Sequence, residues 1–286
     1  MAEIAVRYSL LDRIMKCKCY IDKVVAEADV VTDIKTLIPD AGARRRMSRV
    51  IKMAVATAVE CLEGAENIDA IDAIVTATGW GCLTDSERFL RNVIADREQL
   101  LNPTPFIQST FNTVGGQIAL LRHNHCYNVT YVNRSHSFED ALLDALMRIA
   151  DGESRNVLVG AFDEQTPSQH RIMERMGLFR HCNDGEGAVF AHLTAEPSAA
   201  SVAQITNIDF PRRTHSAEEC RATYATTDGA RVLYNGYAKY GLFPTASAYC
   251  FAEAVGLVQS GAAEEVVVYN EYLGSTPVVV SVRCIG

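Results

Sequence analysis

Apolar residues recur at helical spacing through "RRRMSRVIKMAVATAVECLEG" (44–64). Met47, Val50, Ile51, Ala54, Val55, Ala58 and Leu62 form one stripe, and Gly64 closes it. "IDAIVTATGWG" (71–81) reads as a buried strand running into a glycine turn. "DSERFLRNVIADRE" (85–98) reads as a helix capped by Asp85 or Ser86. "NPTPFIQSTFNTVGGQIALLRH" (102–123) begins as a Pro-rich loop and ends as a helix around Gly115 and Gly116. "YNVTYVN" (127–133) is β-branched and predicts a strand. "SFEDALLDALMRIADGE" (137–153) follows as a helix, with Phe138, Leu142, Ala145 and Leu146 on its apolar face. "RNVLVGAFDE" (155–164) is the next strand. This alternation of strand and helix favours a parallel sheet covered by helices.

The rest of the chain has the same texture. Strands are predicted over 184–196 and 199–211, and a helix over 216–233. A long helix rich in small residues follows over 246–261. Two strands come last, within 263–284, joined by a loop holding Gly274 and Pro277. "EPSAA" marks a boundary near 197, which divides the chain into 1–197 and 198–286 as two halves sharing one core.

Composition narrows the class. The chain has 286 residues, 48% of them hydrophobic and 22% charged, so it can bury a sizeable core. A net charge of −8 disfavours nucleic acid as a partner. No apolar run reaches the length of a membrane span. The N-terminal "MAEIAVRYSLLDRIMK" carries charges throughout and lacks a signal-peptide core, so a cytoplasmic protein is expected. Nine cysteines follow no repeating spacing. Cys17 and Cys19 form C-x-C with no second pair at zinc-finger distance, and reduced thiols are expected. His123 and His125 lack an evident third ligand. "GWGC" (79–82) is not a dinucleotide fingerprint. Neither a metal nor a cofactor is therefore expected.

The order of the segments resembles the β-ketoacyl synthases, of the thiolase fold. "RRRMSRVIKMAVATAVECL" is similar to the family's first long helix. "NPTPFIQSTFNTVGGQIAL" is similar to its Pro-Phe…Asn…Gly-x-Ile stretch, and "TYVNRSHSFEDALLDAL" to the strand-turn-helix that holds its nucleophile. "NVLVGAFDE" and "DGEGAVFAHL" resemble two further strand ends. From Arg44 to Ala195 the resemblance is firm. Beyond that, only "GLFPTASAYCFAEAVGLVQSG" resembles the family's Gly-His-x-x-Gly-Ala-x-Gly helix. The wording also resembles a short, degenerate group of chain-length-factor-like proteins from bacterial aryl-polyene and flexirubin-type pigment biosynthesis.

The resemblance implies an α/β, thiolase-like αβαβα fold with two central sheets. The N-terminal half would be near-complete and the C-terminal half abbreviated by more than one supersecondary unit. It implies a protein of fatty-acyl or polyketide chain building that meets an acyl carrier protein. It also implies a two-fold interface, in a homodimer or a heterodimer with an active synthase, through Pro105, Phe106, Asn112, Gly115 and Gly116.

The same alignment puts Ser135 where the family has its cysteine, followed directly by His136. Cys126 precedes the strand and cannot fill the turn. Leu242 falls where Gly-His is expected, and Tyr237 falls near the expected lysine, with Lys239 close by. No histidine follows His215. Three readings of Ser135 stand side by side. It is a relic in a non-catalytic, chain-length-factor-like subunit. It is a nucleophile of an active acyltransferase or 3-oxoacyl synthase, with His136 or another histidine as base. Or it belongs to a helix cap, with Ser137 and Asp140 as an approximate capping box. A dimeric scaffold without an acyl ligand is a further alternative. Asp163 and Glu164 close a strand as a candidate carboxylate pair, while the resemblance implies a structural role for the Glu position. "RRRMSR" reads either as a surface for an acidic carrier protein or as a solvated helix start.

Overall fold

The computed structural model describes residues 18–285. Cys17 and the charged stretch 1–16 lie outside the described residues. The strands are β1 Cys19–Ala26, β2 Ala73–Ala77, β3 Tyr127–Tyr131, β4 Asn156–Asp163, β5 Gly187–Thr194, β6 Ala203–Asp209, β7 Arg231–Tyr234, β8 Glu265–Asn270 and β9 Val278–Arg283. The helices are α1 Ile34–Leu37, α2 Ala41–Arg46, α3 Arg49–Cys61, α4 Leu83–Ala95, α5 Pro103–Gln108, α6 Thr113–Leu120, α7 Ser137–Ala150, α8 Pro167–Arg175, α9 Ala217–Tyr224, α10 Tyr237–Tyr240 and α11 Ser247–Gln259.

All nine strands form one sheet in the order β3-β2-β4-β5-β1-β6-β9-β8-β7. The order contains a repeat. β5 runs antiparallel to both β4 and β1, and β2 runs parallel to β4. β9 likewise runs antiparallel to both β8 and β6, and β7 runs parallel to β8. β1, β2, β4 and β5 thus correspond to β6, β7, β8 and β9. β3 lies beside β2, and among the described residues nothing takes the equivalent place beside β7. The second half is abbreviated by that strand.

Two expectations change. Instead of two separate sheets, the halves join edge to edge. Cys19, Tyr20 and Ile21 of β1 pair antiparallel with Ile205, Gln204 and Ala203 of β6. The sheet is also mixed rather than parallel. The chain leaves β4 at Asp163 and returns beside it at Gly187, so β5 must run the other way.

Helices cover the sheet in layers, because strands apolar on both faces must be covered on both. On one face of the first half, Val50, Ile51 and Val55 of α3 and Ile118 of α6 meet Leu158, Phe162 and Phe190. On the other face, α7 and α11 lie between the two halves of the sheet. Phe138 and Phe251 touch there, with ring centroids 5.6 Å apart. Val159 and Val75 close this layer from one side, Val266 and Val280 from the other. Each such side chain, fully buried, stabilises by roughly 1.5–3 kcal/mol. The far face of the second half is thinner: α9 supplies Cys220 to a small cluster with Val267, Tyr269 and Val279.

Several element boundaries differ from the pattern. The helix expected over 44–64 breaks at Met47 and Ser48, both extended, and resumes as α3. α4 starts earlier than expected. Its cap is Cys82, and Asp85 lies buried in its first turn. The helix expected over 216–233 ends at Tyr224, and "RVLY" becomes the edge strand β7. β1 and α8 were not indicated by the pattern.

Candidate functional site

The chain leaves β3 through Val132 and Asn133, then makes one 3-10 turn, Arg134–His136, before α7 begins at Ser137. Arg134 takes a left-handed conformation there, with φ 53°. The Ser137 hydroxyl holds this bend from inside. It accepts from Asn133 N at 2.8 Å and donates to Arg134 O at 2.7 Å. The capping box expected of Ser137 and Asp140 does not form. The helix is capped by His136 without a side-chain bond, and Asp140 instead accepts from Asn133 Nδ2.

The bend delivers Ser135 to the interior, 3% exposed. Its hydroxyl donates to Ser275 Oγ at 3.2 Å. Its carbonyl accepts from Asn270 Nδ2, also at 3.2 Å. The same amide nitrogen donates to Glu139 Oε1 at 2.9 Å, and Tyr237 Oη donates to Asn270 Oδ1 at 2.7 Å. Asn270 stands at the end of β8, so the second half supplies the centre of this network. Glu139 lies one turn into α7 and is fully buried. Burial pushes its carboxyl up to about 7, against the lowering influence of the neighbouring Ser247 hydroxyl and the Asn270 amide. The Ser247 hydroxyl falls short of a well-formed bond, and Glu139 Oε2 has no hydrogen-bond partner.

His136 follows another direction. Its Nε2 donates to Thr276 O at 2.6 Å, and its ring packs edge-on to Phe210. Leu242 is buried, and its amide donates to Asn183 O. Tyr237 does reach the site through Asn270, while Lys239 is drawn outward to Glu253 at 2.7 Å. Ser135 Oγ is thus bonded to a neutral hydroxyl, and no imidazole or ammonium group among the described residues is hydrogen-bonded to it.

Asp163 closes the neighbouring corner. Its Oδ1 accepts from Thr78 Oγ1, Gly79 N and Trp80 N, and its Oδ2 from Thr245 N and Oγ1. Burial raises the carboxyl to about 6 while these donors pull it down. Asp163 therefore fastens the turn after β2 to the start of α11. Glu164 accepts from Thr84 N and Oγ1. Among the described residues, no group of three or more His, Cys, Asp and Glu could hold a metal ion.

The stretch 102–120 lies near the sheet edge formed by β3. Pro105 is buried, Phe106 is 54% exposed, and Ile107, Phe111 and Asn112 are exposed beside it. A Cβ on Gly115 would stand 2.6 Å from Asn128 Oδ1 of β3, so its close approach is made within the chain. Gly116 has open space instead.

Residues 26–228 match the β-ketoacyl synthase N-terminal domain. The chain belongs to that family. The fold of this ketosynthase-family chain is shared by solved structures of low identity. One is the AntDE:AntF assembly, described as a type II PKS acyl-carrier protein in complex with its ketosynthase bound to the hexaketide. It has 13% identity and TM-score 0.78, with 94% of this chain and 100% of that one covered. The ishigamide ketosynthase/chain length factor has 15% identity and TM-score 0.74, with the same coverage. The Xenorhabdus doucetiae ketosynthase ApeO in complex with its chain length factor ApeC has 16% identity and TM-score 0.59, again with the same coverage. No curated protein matches the chain.

Sequence reasoning missed Asn270, Glu139 and Ser275. Glu139 left one trace: it is three residues before Leu142 and seven before Leu146, on the buried stripe of α7. Asn270 ends an apolar strand and offers no comparable pattern.

Proposed function

We propose that this chain is a non-catalytic, chain-length-factor-like subunit of fatty-acyl or polyketide chain building. It works in the cytoplasm as a dimer, with itself or with an active β-ketoacyl synthase, and shapes the acyl tunnel of its partner. The observation that carries this reading is the Ser135 hydroxyl. It is bonded to Ser275 within a network of hydroxyl and amide groups, with His136 tied to Thr276 O. Decarboxylation of a malonyl unit needs donors aimed at the enolate oxygen, and losing one such donor typically slows catalysis by ~10²–10³. Leu242 supplies none. The apolar face of Phe106 and Ile107 and the open edge of β3 support pairing with a second subunit. Arg45 and Arg46, both exposed, support an encounter with an acidic carrier protein. Arg44 is occupied by the carbonyls of Ile38 and Pro39.

The test combines the chain with an active ketosynthase, malonyl-carrier protein and acyl-carrier protein. The chain alone is expected to release no CO₂ and gain no acyl mass. Added to the synthase, it is expected to change product length. An acyl adduct on wild-type Ser135, or unchanged products in the mixture, overturns the reading.

A further inference from the structure

A cavity of about 640 Å³ opens between the start of α3, the first turns of α4 and the start of α8. Five cationic side chains line it, Arg49, Lys52, Arg88, Arg91 and Arg171, against two acids, Asp85 and Glu87. The protein as a whole carries −8, so this is a cationic cleft on an acidic molecule. Internal pairing uses up only part of that charge. Arg49 forms two bonds to Glu186. Glu87 is filled by Thr166, Ser168 and Arg91. Lys52, Arg88 and Arg171 form no ion pair with any described residue.

The floor of the cleft carries the second observation. Asp85 is 1% exposed, and both of its carboxylate oxygens are buried without a hydrogen-bond partner. Burial raises the Asp85 carboxyl, and the neighbouring Ser48 hydroxyl and Arg88 pull it back, yet this buried hydroxyl, also lining the cavity, completes no well-formed bond. A buried carboxyl left unpaired is destabilising, and such groups are normally satisfied by protein, water or ligand. Cations at the rim therefore surround incompletely satisfied polar groups at the base. One kind of ligand answers both: an anionic phosphate for the rim, with hydroxyl or amide hydrogens for the floor. The volume falls within the range of small-molecule sites.

We propose that this cleft binds a small phosphate ester that also carries hydroxyl or amide hydrogens. Its phosphate lies against Lys52, Arg88 and Arg171, and its donor meets Asp85 and Ser48. The site is separate from the Ser135 network and does not depend on the role assigned above. Two sources share this chemistry, a free nucleotide and a phosphopantetheine group.

Isothermal titration calorimetry on the full chain tests the site with three probes: ADP, 4′-phosphopantetheine and inorganic pyrophosphate. At least one of the two esters is expected to bind more tightly than pyrophosphate, and whichever binds tighter identifies the source. Lys52→Ala, at a half-buried position, and Arg171→Ala, at an exposed one, should each weaken that ester by about tenfold, the loss of one charge-assisted contact. Asp85→Asn should weaken the ester and leave pyrophosphate unchanged. Absence of ester binding at millimolar concentration overturns the proposal. So does ester binding that the Lys52→Ala/Arg171→Ala double variant leaves intact, or a pyrophosphate affinity equal to that of both esters.

Discussion

Asn270 Nδ2 donates to Glu139 Oε1 across 2.9 Å, joining the end of a strand in the second half to a helix of the first. The other atoms of this amide are also engaged, by Ser135 O and by Tyr237 Oη. Asn270→Leu would strand a buried carboxyl, a carbonyl and a phenol together. We expect a loss of roughly 2–4 kcal/mol, read from urea unfolding. A loss below about 0.5 kcal/mol would show that water replaces the amide without penalty.

Glu139 gives the fold a pH dependence with a definite sign. Its carboxyl rises from the ordinary 4.5 to about 7 on folding, because burial disfavours the charge. Between those values the folded chain holds a proton that the unfolded chain releases. Stability therefore falls as pH rises through this window and is lowest above it. Glu139→Gln keeps an acceptor for Asn270 and removes the charge. The variant should gain on the wild type at pH 8 and lose that advantage near pH 4. Parallel curves for the two proteins would refute this account.

Gly79 is fixed by what stands opposite. An added Cβ would lie 2.2 Å from Pro244 Cβ and 3.1 Å from Arg134 O. Gly79→Ala should cost about 1–3 kcal/mol by overpacking, although its φ is not left-handed. Thermal unfolding of the variant checks it, with Gly116→Ala, which meets open space, as the control.

Phe106 leans on Phe89, with ring centroids 5.2 Å apart, yet remains 54% exposed. Phe106→Asp should shift sedimentation at micromolar concentration from dimer toward monomer and leave the secondary structure intact. A wild type that sediments as a monomer, alone and with a synthase, removes the basis for the paired assembly.

Ser135→Cys should restore at most acyl loading. The turn still sits at the start of α7, where the helix dipole lowers a thiol pKa. No imidazole arrives with the sulfur. Carrier-bound acyl groups should transfer in a mass measurement without CO₂ release from malonyl-carrier protein. Condensed product from the lone variant would reveal another donor set.

Much of the fold could be read from the chain because its inner strands and helices are strongly periodic. α7, α11, β4 and β8 all lie where their apolar patterns predict. β1 is hidden in the sequence because Asp22 and Lys23 interrupt its apolar run, and because its burial comes from β5 and β6, far along the chain. β7 overlaps the end of the helix predicted over 216–233, because four residues at a sheet edge carry too short a pattern to override the helical stretch before them. At the site, Ser135 and its turn were legible from local sequence. The partners Asn270 and Ser275 were not, since each is more than one hundred residues away and only the fold brings them together.

The place of β1 also has a consequence for how the protein comes into being. Its neighbours are β5 and β6, so this strand, the first among the described residues, lacks its sheet partners during synthesis until residues near Thr194 and Ala203 follow it. β4 likewise waits for β5 along one edge. A nascent chain halted near residue 180 would expose the unpaired edges of both, and such edges are where aggregation begins. The strand that unites the two halves is therefore, together with β4, one that calls for protection during synthesis.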